Sequence, residues 1–272
     1  KKEQYEKIFV VVIQEFPVSN DDDGFTALAL ACENGHASSA RALLSARSDP
    51  NLARKNGWTC LITTAYNGYV KVAHELTAFH ADTNLSKNNG YNPLIAATYN
   101  GFHEMVASLL DAHANADHAM SNGWNSVMVA AAQGHASTLA RLCEAGADVD
   151  HARPFNGFSP LMASASSIHS ATCTNILLQF NANVNLTDKV GCNALMHAAW
   201  NGREPAVEVL LQASANVDAV RLGGTTALMD AAAAGHEGVV AKLLRAGARV
   251  DAADSHGLTA LMHAARAGHD IA

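Results

Sequence analysis

Fourteen histidines and five cysteines are the side chains of this 272-residue sequence best suited to proton transfer, nucleophilic attack or metal ligation. Their spacing assembles none of the familiar sites. A zinc-protease helix needs His-Glu-x-x-His, which puts two imidazoles on one helix face with a general base between them. His74-Glu75 begins that phrase, but Ala78 stands where the second histidine belongs. The sequence contains no phosphate-cradling Gly-Lys-Ser/Thr loop, no Gly-x-Gly-x-x-Gly and no Gly-x-Ser-x-Gly nucleophile turn. The expectation is a chain with no catalytic residue, no metal site and no cofactor.

The cysteines are odd in number and form no Cys-x-x-Cys pair, the usage of a reducing compartment, so an intracellular, cytoplasmic or nuclear, location is expected. Asn84-Leu85-Ser86 and Asn185-Leu186-Thr187 match the glycosylation acceptor pattern and are expected to go unused in that compartment. The formal charge is −7, with no long Lys/Arg cluster, which argues against binding nucleic acid or an anionic membrane surface. No apolar stretch approaches the roughly 18 residues that a membrane-spanning helix requires. Asp21-Asp22-Asp23 reads as a solvated lead-in to the first turn.

The elements that must position these residues are set by glycine. Gly24, Gly57, Gly90, Gly123, Gly157, Gly191, Gly224 and Gly257 are spaced 33, 33, 33, 34, 34, 33 and 33 residues apart. Each opens the same phrase: one variable residue, then Thr, Asn or Ser, one more residue, then Leu or Val. A period of this size marks a stack of supersecondary units. In the seventh copy Thr226 is a helix N-cap before the apolar run from Ala227. Gly235 ends that first, inner helix in the left-handed conformation. Val239, Val240, Leu243 and Leu244 then follow at the spacing of a second, outer helix, and Gly247 stops it. Thr26, Thr59, Asn92, Asn125, Ser159, Asn193 and Thr259 fill the capping place in the other copies, and Pro93 and Pro160 stand at the first helical position, where proline is tolerated. Within this frame His103, His113 and His118 are scattered over an outer helix and turns.

The phrase Thr-Ala-Leu-Met at 226–229 and 259–262, the paired alanines such as Ala198-Ala199, and Gly-His at 35–36, 134–135, 235–236 and 268–269 resemble the ankyrin repeat. The resemblance runs over about residues 20–272. The histidine of the family phrase is replaced by Ala29, Ile62, Ile95, Met128, Met162, Met196, Met229 and Met262, exchanging a polar bridge for apolar packing. An all-α repeat solenoid follows: residues 1–20 as a capping segment or degenerate repeat, and 21–272 as the repeat array. The last copy is incomplete, so the sequence reads as part of a longer protein.

The resemblance also implies where a partner docks, on the side formed by the turn tips and the exposed side of the inner helices. The residue after each ruler glycine is Phe25, Trp58, Tyr91, Trp124, Phe158, Cys192, Thr225 and Leu258. Near the inner helix end stand Glu33, Tyr66, Tyr99, Ala132, Ser166, Trp200, Ala233 and Arg266. All three tryptophans fall in these rows. Phe25, Trp58, Tyr66, Tyr91, Tyr99, Trp124, Phe158 and Trp200 are therefore the candidate contacts with another protein or peptide. The same placement also suits rings packing on the turn of the next copy. Asn56, Asn67, Asn89, Asn100, Asn122, Asn156 and Asn201 flank them and can bond a partner's backbone, but read rather as turn formers. The function expected is a monomeric, non-catalytic adaptor, with the targeting or regulatory segment of a larger enzyme, channel or bacterial effector as the alternative. Asn84 and Asn185 occupy the turn position that asparaginyl hydroxylases modify in some members of the family. The fifth copy departs from the pattern: Ser166-Ser167-Ile168-His169-Ser170 replaces Gly-His, and a further residue enters near Arg153-Pro154-Phe155.

Overall fold

The hydroxyl and carboxamide residues before each apolar run become helix caps. In the computed structural model of the chain, which describes residues 26–269, the side-chain oxygens of Thr26, Thr59 and Asn92 accept the N–H of Ala29, Ile62 and Ile95 at 3.0, 3.2 and 2.9 Å. Asn125, Ser159, Asn193 and Thr226 do the same for Met128, Met162, Met196 and Met229 at 3.0–3.4 Å. Thr259 makes no such bond. Both the expected capping segment, residues 1–20, and Phe25 lie outside the described residues.

The chain divides into two compact units, Lys1–Ser121 and Asn122–Ala272, each built from the same helix pair. In the first unit the inner helices are α1 (Ala27–Glu33), α3 (Cys60–Asn67) and α5 (Pro93–Tyr99), and the outer ones α2 (Ala37–Ser45), α4 (Val70–Ala78) and α6 (His103–Asp111). In the second the inner helices are α7 (Ser126–Gln133), α9 (Pro160–Ser166), α11 (Ala194–Trp200), α13 (Ala227–Ala234) and α15 (Ala260–Ala267). Its outer helices are α8 (Ala136–Glu144), α10 (Ser170–Gln179), α12 (Glu204–Gln212) and α14 (Glu237–Arg245). Within each unit, inner packs on inner, outer on outer, and each inner helix on its own outer partner. This is the all-α repeat solenoid expected from the sequence.

Helices of seven to ten residues are too short to persist alone, so packing holds them. The inner helices are buried almost all round: Cys60, Leu61, Ile62, Thr63, Thr64 and Ala65 are all inside in α3. Small residues such as Ala96, Ala97, Ala130 and Ala131, all fully buried, let neighbouring backbones approach. Outer helices bury one stripe, for example Met105, Val106 and Leu109 in α6.

Between helix pairs the chain makes a tight hairpin. Lys87 N–H donates to the Tyr91 carbonyl at 2.9 Å and Gly90 N–H to the Lys87 carbonyl at 2.8 Å. Gly90 has φ +80, and a Cβ there would lie 2.7 Å from Met120 Cα, so both conformation and space demand glycine. Successive turns are tied by one recurring bond. The side-chain oxygen of Asn51 accepts Asp82 N–H, and that of Asn84 accepts Asn115 N–H, each at 2.8 Å. In the second unit Asp150, Asn185 and Asp218 do the same for Asn183, Asn216 and Arg249 at 2.8–2.9 Å.

The helix-ending glycines have a second role that their conformation alone does not explain. Several are the seat of a ring from the next copy: Tyr69 over Gly35 and Phe102 over Gly68 in the first unit, and His169 over Gly134, His236 over Gly202 and His269 over Gly235 in the second. The fifth copy absorbs its extra residues locally. Its hairpin closes from Arg153 N–H to the Phe158 carbonyl, one residue longer than elsewhere. Ser167, in extended backbone, takes the place of the left-handed glycine, α10 reaches ten residues, and the buried hydroxyls of Ser164 and Thr174 hydrogen-bond to tie α9 to α10.

The glycine stop of the outer helix is kept only in part. Gly146 and Gly247 have positive φ there, but Arg47, His80, His113, Asn181 and Ser214 take the same left-handed conformation at φ 62–67, at a cost of roughly 1 kcal/mol or more each. Ser214→Gly should therefore raise stability by up to about 1 kcal/mol, read as a higher urea midpoint; a lower midpoint would contradict the strain. Thr59→Ala should cost about 1 kcal/mol by the same measurement, whereas Thr259→Ala, which loses no cap bond, should leave the midpoint within error.

Candidate partner-binding surface

In the first unit the rings form a connected layer. Trp58 and Tyr91, both directly after a ruler glycine, are half-buried and pack at 6.0 Å between centroids, tilted by 51°. Tyr66, from the end of α3, meets Trp58 edge-on at 5.8 Å and 86°, a geometry that ring quadrupoles favour. The Lys87 ammonium lies 5.1 Å from the Trp58 ring centre. Burial, with Tyr66 and Tyr99 nearby, pushes the Tyr91 phenol up to about 12. Tyr66 and Tyr99 remain 42% and 50% exposed. The two rows thus divide the work: the post-glycine rings are half-buried between copies, and the helix-end rings are the more exposed.

The second unit repeats the scheme and then abandons it. Arg153 lies 5.7 Å from the Trp124 ring centre. Trp124 packs on Phe158 at 6.5 Å, and Phe158 meets the His197 imidazole edge-on at 5.1 Å. Trp200, at the end of α11, is 55% exposed, and its carbonyl accepts from His236 Nε2 at 3.1 Å. Beyond Phe158 the layer becomes charged. Asp188 faces His197 at 3.3 Å, Arg221 faces Asp230 at 3.0 Å and Asp254 faces His263 at 3.0 Å. Each pair joins a hairpin to the inner helix nine residues on. Desolvation lowers the His197 pKa against the pull of Asp188, and it raises that of Asp230 against Arg221. Burial pushes the Cys192 thiol up to about 11. The sequence reading missed these pairs; their signal is the recurrence of complementary polar residues nine apart in three successive copies.

The asparagines two residues before the rings are turn formers, as expected, whereas Asn100 and Asn201 donate from Nδ2 to helix carbonyls, of Tyr66 and of His197. Oδ1 of Asn56, Asn89, Asn122 and Asn156 accepts the N–H of Trp58, Tyr91, Trp124 and Phe158 at 3.0–3.2 Å. Asn84 and Asn185 are exposed, each with its Oδ1 held by the next turn. Of the scattered histidines, His118 ties two turns, its Nε2 donating to the Gly90 carbonyl at 2.8 Å. Glu75, of the incomplete zinc-protease phrase, is paired with Arg41 at 2.8 Å. All five cysteines are free, and among the described residues no helix is long and apolar enough to cross a membrane. A spectrophotometric titration should show a phenol ionising near pH 12 that Tyr91→Phe removes; if the titration is unchanged by that substitution, Tyr91 is not packed as described.

The family model described as ankyrin repeats (3 copies) matches residues 4–85, 61–153, 128–221 and 213–272. Among solved structures, the crystal structure of the human ASB11 ankyrin repeat domain is similar at a TM-score of 0.72 and 24% identity, covering 83% of this chain and 99% of that one. A search of curated proteins found no match. Capped inner helices, left-handed glycines, ring seats and hairpins recur at the family's period, and the chain belongs to the ankyrin repeat family.

Proposed function

We infer that this chain is a non-catalytic interaction module that holds a partner protein or peptide on the ring-bearing side of its repeats. Ankyrin repeats are in general protein–protein interaction modules, and they are typically non-catalytic. The observation that carries the reading is the exposure of Tyr66 and Tyr99 in the first unit and Trp200 in the second. Two of these, Tyr66 and Tyr99, stand beside rings already immobilised by their neighbours. A rigid aromatic anchor loses little freedom on binding and offers a large contact area. Lys87 and Arg153, held over Trp58 and Trp124, add cationic groups beside the rings and favour a partner with carboxylates or backbone carbonyls. Each unit presents its own set, and each is tested separately.

The test is a comparative affinity capture. Tyr66→Ala with Tyr99→Ala removes the exposed rings of the first unit, and Trp200→Ala that of the second. His103→Ala, on an exposed outer-helix position, is the control. With circular dichroism unchanged in all variants, a ring variant should lose partners that the parent and the control retain, with affinity weakened roughly tenfold or more. If neither ring variant changes the captured set, this surface is not the docking face.

A further inference from the structure

Three ligand-bearing side chains converge in the sixth copy, where the ring layer ends. Asp188 and Cys192 belong to its hairpin and His197 to α11, one turn beyond the Asn193 cap. Asp188 N–H donates to the Cys192 carbonyl at 2.9 Å. Asp188 Oδ1 accepts the N–H of Val190 at 3.0 Å and of Cys192 at 2.8 Å. These bonds fix the carboxylate and the cysteine in one rigid loop and leave Oδ2 to face His197 Nε2 at 3.3 Å. The carboxylate oxygen, the thiol sulfur and the imidazole nitrogen all lie within 4.8 Å of one another, and all three residues are half-buried. Among the neighbouring charges, the Arg221 guanidinium hydrogen-bonds to Asp230 at 3.0 Å and not to Asp188.

One sulfur, one imidazole nitrogen and one carboxylate oxygen suit a borderline-soft cation in tetrahedral geometry. Bond lengths of about 2.0–2.3 Å place tetrahedral ligand atoms roughly 3.3–3.7 Å apart. The Asp188–His197 separation already meets that edge, and small side-chain rotations bring in the sulfur. We propose that Asp188, Cys192 and His197 bind a divalent cation of the zinc class, with the fourth position open to water or to a donor atom of a bound partner. On binding, a metal–sulfur bond forms and the Cys192 S–H proton leaves to solvent; the Nε2 proton that faces Asp188 gives way to the Nδ1–H tautomer, so that neutral His197 ligates through the Nε2 lone pair.

The neighbouring copies supply a control. The eighth keeps the same pair, Asp254 and His263 at 3.0 Å, with the carboxylate oriented by the N–H of His256 and Leu258, but carries Leu258 where the sixth has Cys192. The seventh carries Thr225 there. The carboxylate–imidazole pair is therefore a recurring feature of the fold, and the sulfur is what sets the sixth copy apart.

Cobalt(II) is the probe, titrated into the full chain with a non-thiol reductant present. The expected result is a sulfur-to-cobalt charge-transfer absorption that saturates at one equivalent and is displaced by zinc. Cys192→Thr, which installs the seventh copy's residue and so preserves the fold, should abolish the band. Leu258→Cys should raise the saturation point to two equivalents. The absence of a charge-transfer band in the parent overturns the assignment. So does a band that survives Cys192→Thr, or a Leu258→Cys variant that takes up no second equivalent.

Discussion

No helix pair in this chain can bury its own apolar surface, and every other feature answers to that constraint. Two helices of seven to ten residues enclose no core, so each copy must lend its neighbour a wall. The inner helices meet this demand with alanine and other small residues buried on nearly every side, and the outer helices with a single apolar stripe. Because packing dominates, the local signals serve mainly to fix register. A cap such as Asn92 and a glycine such as Gly90 decide where a helix starts and where the hairpin turns, so that the walls come into line.

Those register signals were the part most legible in the sequence. The capping residues, the ruler glycines and the turn-forming asparagines stand at fixed offsets and act on the backbone within a few residues of themselves, so reading them needs no knowledge of neighbours. What the sequence hid lies between copies. Gly35 and Gly68 read as helix stops, but that Tyr69 and Phe102 rest on them is a contact across about 34 residues. The rows holding Trp58, Tyr66, Tyr91 and Tyr99 were visible as rows, yet their division into half-buried and exposed rings depends on distances that periodicity does not carry. The polar pairs of the sixth, seventh and eighth copies are hard to see in the sequence because nine residues is neither a helical nor a strand spacing. The glycine stop read at Gly247 does not extend to every outer helix: a left-handed residue is needed there, and Arg47 or Ser214 supplies it elsewhere at the expense of strain.

The ring layer shows how a structural need and a binding surface become the same object. The gap between successive hairpins has to be filled, and a half-buried Trp58 or Trp124 fills it. Filling it also immobilises a large polarisable face beside an exposed tyrosine, with a cation held above. Where the sixth copy substitutes Cys192, the gap is instead framed by a carboxylate and an imidazole. The solenoid thus changes the chemistry of its exposed side by altering one residue per copy, while caps and glycines stay as they are.

The turn-to-turn bond from Asn84 to Asn115, repeated by Asn185 to Asn216, has a consequence for how such a chain can change in length. Within each unit its acceptor belongs to the earlier copy and its donor to the later one, so these junctions are chemically alike. Excising or duplicating one full period therefore rejoins an acceptor to a donor and leaves no broken bond, whereas adding a single residue displaces every junction downstream unless a loop takes up the slack. The fifth copy shows that slack being taken up, at the tip near Pro154 and at Ser167. Growth and shrinkage of this protein are accordingly quantised in whole repeats, with the two looser sites of the fifth copy as the places where a fractional step has been tolerated.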